Sequence, residues 1–152
     1  MAGNLSEGKE AIKTASPEST IFIGCDSVRF KKNGQWFARY AIVMIIHHSS
    51  RHGASLYHEI EVLPDYGNLK QRLLTEVMFA TNAALNIVDD LDGRSLEIHL
   101  DLNSSPEHKS NVAVSEAIGY VYGNLGFRPK IKPHSFAASH ASDHCARGKL
   151  KA

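Results

Sequence analysis

Cysteine is nearly absent from this chain, with only Cys25 and Cys145 among 152 residues. Two thiols cannot make a disulfide framework, and without a Cys-x-x-Cys pair they give no zinc pattern. Cys25 lies in an apolar run and reads as a small buried hydrophobe. Long hydrophobic runs are missing as well. Nothing approaches the roughly 20 apolar residues of a membrane helix, and the polar first residues lack a secretory leader's pattern, so a cytoplasmic protein with no membrane contact is expected. Neither sign of charge dominates: 17 Lys and Arg stand against 16 Asp and Glu. Engaging a few of those acids with metal would leave the remaining surface positive, so the local field, not the net charge, decides the partner. With 43% hydrophobic residues, 11 Gly and 5 Pro, the chain is not a disordered, collagen-like or coiled-coil sequence.

What is present begins with Thr20 to Ser27, TIFIGCDS, an apolar β-run that ends in a carboxylate. Ile21, Phe22 and Ile23 read as a strand buried on both faces, the pattern of a central strand in a helix-covered sheet. Asn33-Gly34 between β-rich flanks marks a hairpin, since both residues tolerate the positive φ of a type I′ turn. The return strand is expected over 36–47 and a third over about 55–62. Between Leu69 and Val88, Leu69, Leu73, Leu74, Val77, Met78, Leu85 and Val88 recur at helical spacing. Glu76 falls along that apolar stripe, and a charge there needs a partner. A strand over 95–103, SLEIHLDLN, repeats the plan of the first and places Asp101 at its far end. Ser110 or Asn111 is expected to cap a second helix with Val114, Ile118, Val121, Tyr122 and Leu125 on its buried face and Gly126 as its stop. A short strand over 128–132 and a last helix over 137–147 complete the order βββαβαβα.

Hairpins followed by right-handed crossovers favour a mixed five-stranded sheet, order 3-2-1-4-5, flanked by helices. Residues 1–19 are polar and are expected to form a mobile arm with at most one helical turn around Glu7 to Lys13. Residues 20–147 form the domain, and 148–152 a loose tail.

Four acids stand out by position: Asp26 and Asp101 at the ends of two neighbouring strands, Glu76 on the first helix and Asp143 on the last. An isolated acid in such a place is ordinarily a cap or a solvated charge. Four gathered together repel, and all stay ionised only around a cation. Oxygen ligands select Mg²⁺ or Mn²⁺, and a pair of such ions suits phosphodiester cleavage. His140, Asp143, His144 and Arg147 recur on one helical face, with His140 or His144 a candidate further ligand or proton carrier and His134 in the preceding loop a candidate for assisting product release. His99 shares a side of its strand with Asp101 but reads first as a hydrogen-bonded core histidine. Asn103, Ser104, Ser105, Lys109, Ser110 and Asn111 follow Asp101 toward a helix start, where backbone amides attract phosphate. Lys31, Lys32, Arg39, Lys130 and Lys132 are candidates for a patch tracking a nucleic-acid backbone, though scattered lysines ordinarily only solubilise, and no aromatic ladder for stacking single strands is apparent.

This topology, with Asp26, Glu76, Asp101 and Asp143, resembles the ribonuclease H-like superfamily and its Asp-Glu-Asp-Asp metal site. The segments IGCDS, HLDLNSSPEHKSN, GYVYGNLG and KPHSFAASHASD are similar to the YkuK-type ribonuclease H-like family. The resemblance spans residues 20–147. It implies a two-metal nuclease acting on RNA, an RNA–DNA hybrid or branched DNA, with Asp26 bridging two ions, Asp101 and Glu76 on one, and Asp143 on the other. The alternative is a non-catalytic nucleic-acid- or protein-binding module on the same fold. Polar helix faces and a single Trp mark no interface between copies, and the oligomeric state is not legible.

Overall fold

Asn33 and Gly34 adopt φ of 52° and 80°, so the hairpin signal is realised as a tight turn that fixes the longest strand pair. The computed structural model describes residues 3–48 and 53–132. Strands β1 (Thr20–Lys32), β2 (Gln35–His47) and β3 (Ala54–Pro64) form an antiparallel meander in continuous register, from Lys32 opposite Gln35 to Thr20 opposite His47, and from Phe37 opposite Pro64 to His47 opposite Ala54. Helix α2 (Leu69–Leu85) then crosses over to β4 (Ser95–Asn103), which lies parallel to β1, and α3 (Val114–Leu125) leads to the short parallel strand β5 (Lys130–Lys132). The sheet order is β3-β2-β1-β4-β5, as the sequence predicts. The last helix expected over 137–147 lies outside the described residues.

Alternation along β1 separates two faces. Ile21, Ile23 and Cys25 point with Ile42, Met44 and Ile46 of β2 and Ile98, Leu100 and Leu102 of β4 into the main core. Helix α2 covers this core with Leu73, Val77, Ala80 and Ala84. That stripe is rotated from the expected one: Met78 and Leu85 face solvent, because alanines at 80 and 84 let the helix lie closer to the sheet than leucines would. In α3 the buried positions are Ala117 and Val121, while Tyr122 is 58% exposed. Gly126 ends this helix at φ 81°, its N–H bonded to the Tyr122 carbonyl at 2.9 Å.

The first 19 residues depart most from expectation. Instead of a mobile arm, Leu5–Thr14 is a ten-residue helix, α1, with Asn4 capping it by accepting the Glu7 N–H at 2.8 Å. Ile12 is fully buried in the main core. Gly8 lies against the Tyr57 ring and Met44, where an added Cβ would come within 2.8 Å of Tyr57. The helix is thus anchored by one large apolar residue and one residue with no side chain, which leaves little periodicity to read. Ahead of it, Gly3 bonds to Leu56 and His58, covering part of the β3 edge.

Candidate metal and nucleic-acid site

The last parallel pair between β1 and β4 is Cys25 with Leu100. One position further, the two strands carry Asp26 and Asp101, and alternation points both to the same face of the sheet, away from Cys25 and Leu100. Asp26 Oδ1 accepts the Ser27 N–H at 2.8 Å. Asp101 Oδ1 pairs with the Lys132 ammonium of β5 at 2.5 Å.

Glu76 reaches the same end of β1 from α2, on the core side. It is 3% exposed, and its carboxylate accepts a short bond from the Ser27 hydroxyl, which in turn accepts from the Arg72 guanidinium at 2.8 Å. Arg72 and Glu76 lie one turn apart on α2, so the helix presents cation and acid together to a single strand hydroxyl. This is the partner that a charge on the apolar stripe requires. Burial first, and then the charge of Asp26, push Glu76 well above its ordinary value of 4.5. Ser27 and Arg72 pull it back, and Asp101 adds a further upward push. The three acids therefore sense one another electrostatically. Cys25, wedged below them, is raised by burial and by Glu76 and Asp26.

His99 is a core residue, as expected: it is 1% exposed, its Nε2 lies 3.0 Å from Glu97 Oε1, and its ring meets Phe22 edge-on. Burial lowers its pKa. The loop after Asp101 differs from expectation. Ser110 accepts the Asn103 N–H at 3.0 Å, Asn103 accepts from Ser105 at 2.9 Å, and Asn111 donates to the carbonyls of Asn103 and Ser104. Ser110 and Asn111 thus tie the loop to the end of β4 instead of capping α3, whose start has no side-chain cap. The segment Lys109–Ala113 is a 3-10 turn, and Lys109 is exposed. Asp143, His140, His144, His134 and Arg147 lie outside the described residues. Ser27, Arg72 and Lys132 were not singled out by sequence as site groups; Ser27 directly follows Asp26, but its bond to a residue 49 positions away leaves no local pattern.

Among the described residues, no three His, Cys, Asp or Glu side chains converge closely enough to hold a metal ion. The donor set fits one in kind, however. Asp26, Glu76 and Asp101 offer only hard oxygen atoms, and Asp101 already holds a cation in the form of the Lys132 ammonium.

A family model described as Ribonuclease H-like matches residues 6–147. The chain belongs to the ribonuclease H-like family. The match takes in most of α1 as well as the sheet. Neither a curated protein nor a solved structure matches the chain. Among the described residues, no helix is long and apolar enough to cross a membrane.

Proposed function

We propose that this ribonuclease H-like protein is a divalent-metal-dependent nuclease that hydrolyses phosphodiester bonds in RNA, an RNA–DNA hybrid or branched DNA. The observation that carries this reading is the placement of Asp26 and Asp101 side by side on adjacent parallel strands, with the buried Glu76 reaching Ser27 from the core face near enough to feel both charges. Asp26, Asp101 and Glu76 would hold Mg²⁺ or Mn²⁺, with Asp143 as the fourth expected ligand and His140 as a candidate proton carrier. When bound, such ions supply activation of a water and stabilisation of the leaving oxygen. The protein's own contribution is orientation. Ser27 and Arg72 fix the rotamer of Glu76, and Asp26 is braced by the backbone of Ser27. Lys132 pairs with Asp101; a divalent cation bound there would take its place, and its ammonium would then be available to a phosphate. Lys109, exposed beside the end of β4, is a candidate phosphate contact.

The test is cleavage of a panel of labelled RNA, hybrid and junction substrates in Mg²⁺ or Mn²⁺ by wild type and Asp26→Asn. Metal-dependent cleavage is expected, with loss in the variant while its circular dichroism is unchanged. Equal turnover in chelator and in metal overturns the proposal, and binding without turnover by the wild type assigns the chain to the non-catalytic class.

A further inference from the structure

Strand β1 outruns its partner. It pairs with β4 only from Thr20 to Cys25 but with β2 as far as Lys32, so beyond Asp26 the β1–β2 hairpin continues with no described strand beside it on the β4 side. From Ser27 to Tyr40 this arm contains four cations, Arg29, Lys31, Lys32 and Arg39, and not one acid, in a chain whose charges nearly cancel as a whole. Its tip also carries Trp36, 41% exposed.

The indole is built into a platform. Arg29 sits over it at 4.4 Å from the ring centroid, and Lys31 approaches to 5.9 Å. Arg29 is itself fixed by an ion pair with Asp65, whose side chain is only 6% exposed and whose N–H bonds the Trp36 carbonyl. A planar guanidinium held between a buried carboxylate and an indole loses little freedom on binding. Asp65 neutralises Arg29, which leaves Lys31, Lys32 and Arg39 as the charge for a polyanion, with Arg39 stacked on the other face of the arm over Phe30. Solvated lysines alone need no explanation, but an exposed indole clamped by a guanidinium and flanked by unopposed cations has the two elements of a single-strand site: a stacking surface and backbone neutralisation.

We propose that the β1–β2 hairpin arm binds a single-stranded stretch of the nucleic acid flanking the cleavage site, an assignment that rests on the nuclease reading above for the identity of the polymer. Duplex DNA hides its base faces, whereas an unpaired base can lie on Trp36. Trp36 stands opposite Lys31, five positions beyond Asp26 on β1, which is about 17 Å at the usual rise of a strand. The odd spacing puts Trp36 on the sheet face of Ser27 and Glu76, opposite that of Asp26 and Asp101, so the arm meets a strand that has passed round the edge of β1 beyond its pairing with β4.

Trp36 is the only tryptophan, so its fluorescence reports this site directly. The full chain is titrated in chelator with a 12-nucleotide oligothymidylate and with a blunt 12-base-pair duplex. Saturable quenching by the single strand is expected, with weaker binding of the duplex. The salt dependence should have a log–log slope of about −1.4, the release expected from two phosphate contacts, with Lys31 and Lys32 at the tip, on a single strand. Lys31→Glu with Lys32→Glu should weaken binding at least tenfold, and Trp36→Ala, followed by anisotropy of labelled oligonucleotide, should weaken it roughly 5- to 150-fold. Both changes are at exposed positions, and an unchanged thermal melt confirms that the fold is intact. Absence of quenching, equal affinity for duplex, or indifference to the charge reversal overturns the proposal. Because binding is read without metal, quenching together with failure of all cleavage assays would remove the nuclease reading and leave the arm's assignment standing.

Discussion

Replacing Glu76 by Gln should stabilise the metal-free protein, and increasingly so as pH rises. Glu76 is buried at 3% exposure, and that burial, with the charges of Asp26 and Asp101, raises its folded-state pKa well above 4.5. The unfolded chain therefore loses this proton first as pH climbs, and deprotonation draws the equilibrium toward unfolding. The stability associated with neutral Glu76 is complete below about 4.5 and is lost as pH rises through the folded-state value. Glutamine keeps the acceptor for Ser27 but has no proton to lose. Within that window the wild type should fall relative to Glu76→Gln by up to about 1.4 kcal/mol per pH unit. For a chain of this size that corresponds to roughly 3–6 °C in Tm per pH unit. Thermal melts of both proteins in chelator, from about pH 4 to pH 8, measure the difference directly. Parallel curves across that range would refute the account of Glu76 as a carboxyl group whose pKa burial and its neighbours raise. If the acids hold a divalent cation, Mn²⁺ should raise the wild-type Tm and leave Glu76→Gln less affected.

Ile12→Ala should cost about 2–5 kcal/mol in urea denaturation, since Ile12 is fully buried against the main core; a change within about 0.5 kcal/mol would mean that α1 is not part of the folding unit. Gly8→Ala should also destabilise, by about 1–3 kcal/mol. Helix propensity alone favours alanine by about 1 kcal/mol, but the new methyl would lie 2.8 Å from Tyr57 and 3.0 Å from Met44. A raised denaturation midpoint in that variant would show that the contact between α1 and β3 is looser than described.

The hairpin and the sheet order were legible because their causes are local. Asn33-Gly34 forces positive φ, and strands too apolar for an exposed face must lie under helices. Asp26 and Asp101 were legible for the same reason, each closing a recognisable apolar run, although β1 itself runs on to Lys32. What could not be read was set by distant neighbours. Helix α1 looks polar because its packing relies on one isoleucine and on a glycine that would ordinarily weaken a helix. The stripe of α2 was misplaced because close approach to the sheet rewards alanine over leucine, which hydrophobicity alone does not express. Glu76 was recognised as needing a partner, yet Ser27 and Arg72 could be named only once α2 lay over β1. Ser110 and Asn111 have the composition of caps, but the geometry of the loop spends their hydrogen bonds on Asn103 and Ser104. The Trp36 platform was missed because Arg29 and Trp36 become neighbours only across the hairpin.

The parallel pairing of β1 with β4 also governs when the acids can meet. Thr20 finds Ser95, 75 positions later in the chain, whereas the meander pairs with strands that follow at once. During synthesis the first three strands can close while the inner edge of β1 still lacks its neighbour, and contacts of such long sequence separation form slowly. A nascent chain halted before residue 95 would expose that edge as a template for wrong pairing. The repulsion between Asp26 and Asp101 arises only after β4 has docked, so the two charges stay apart until the chain has been made well past residue 95.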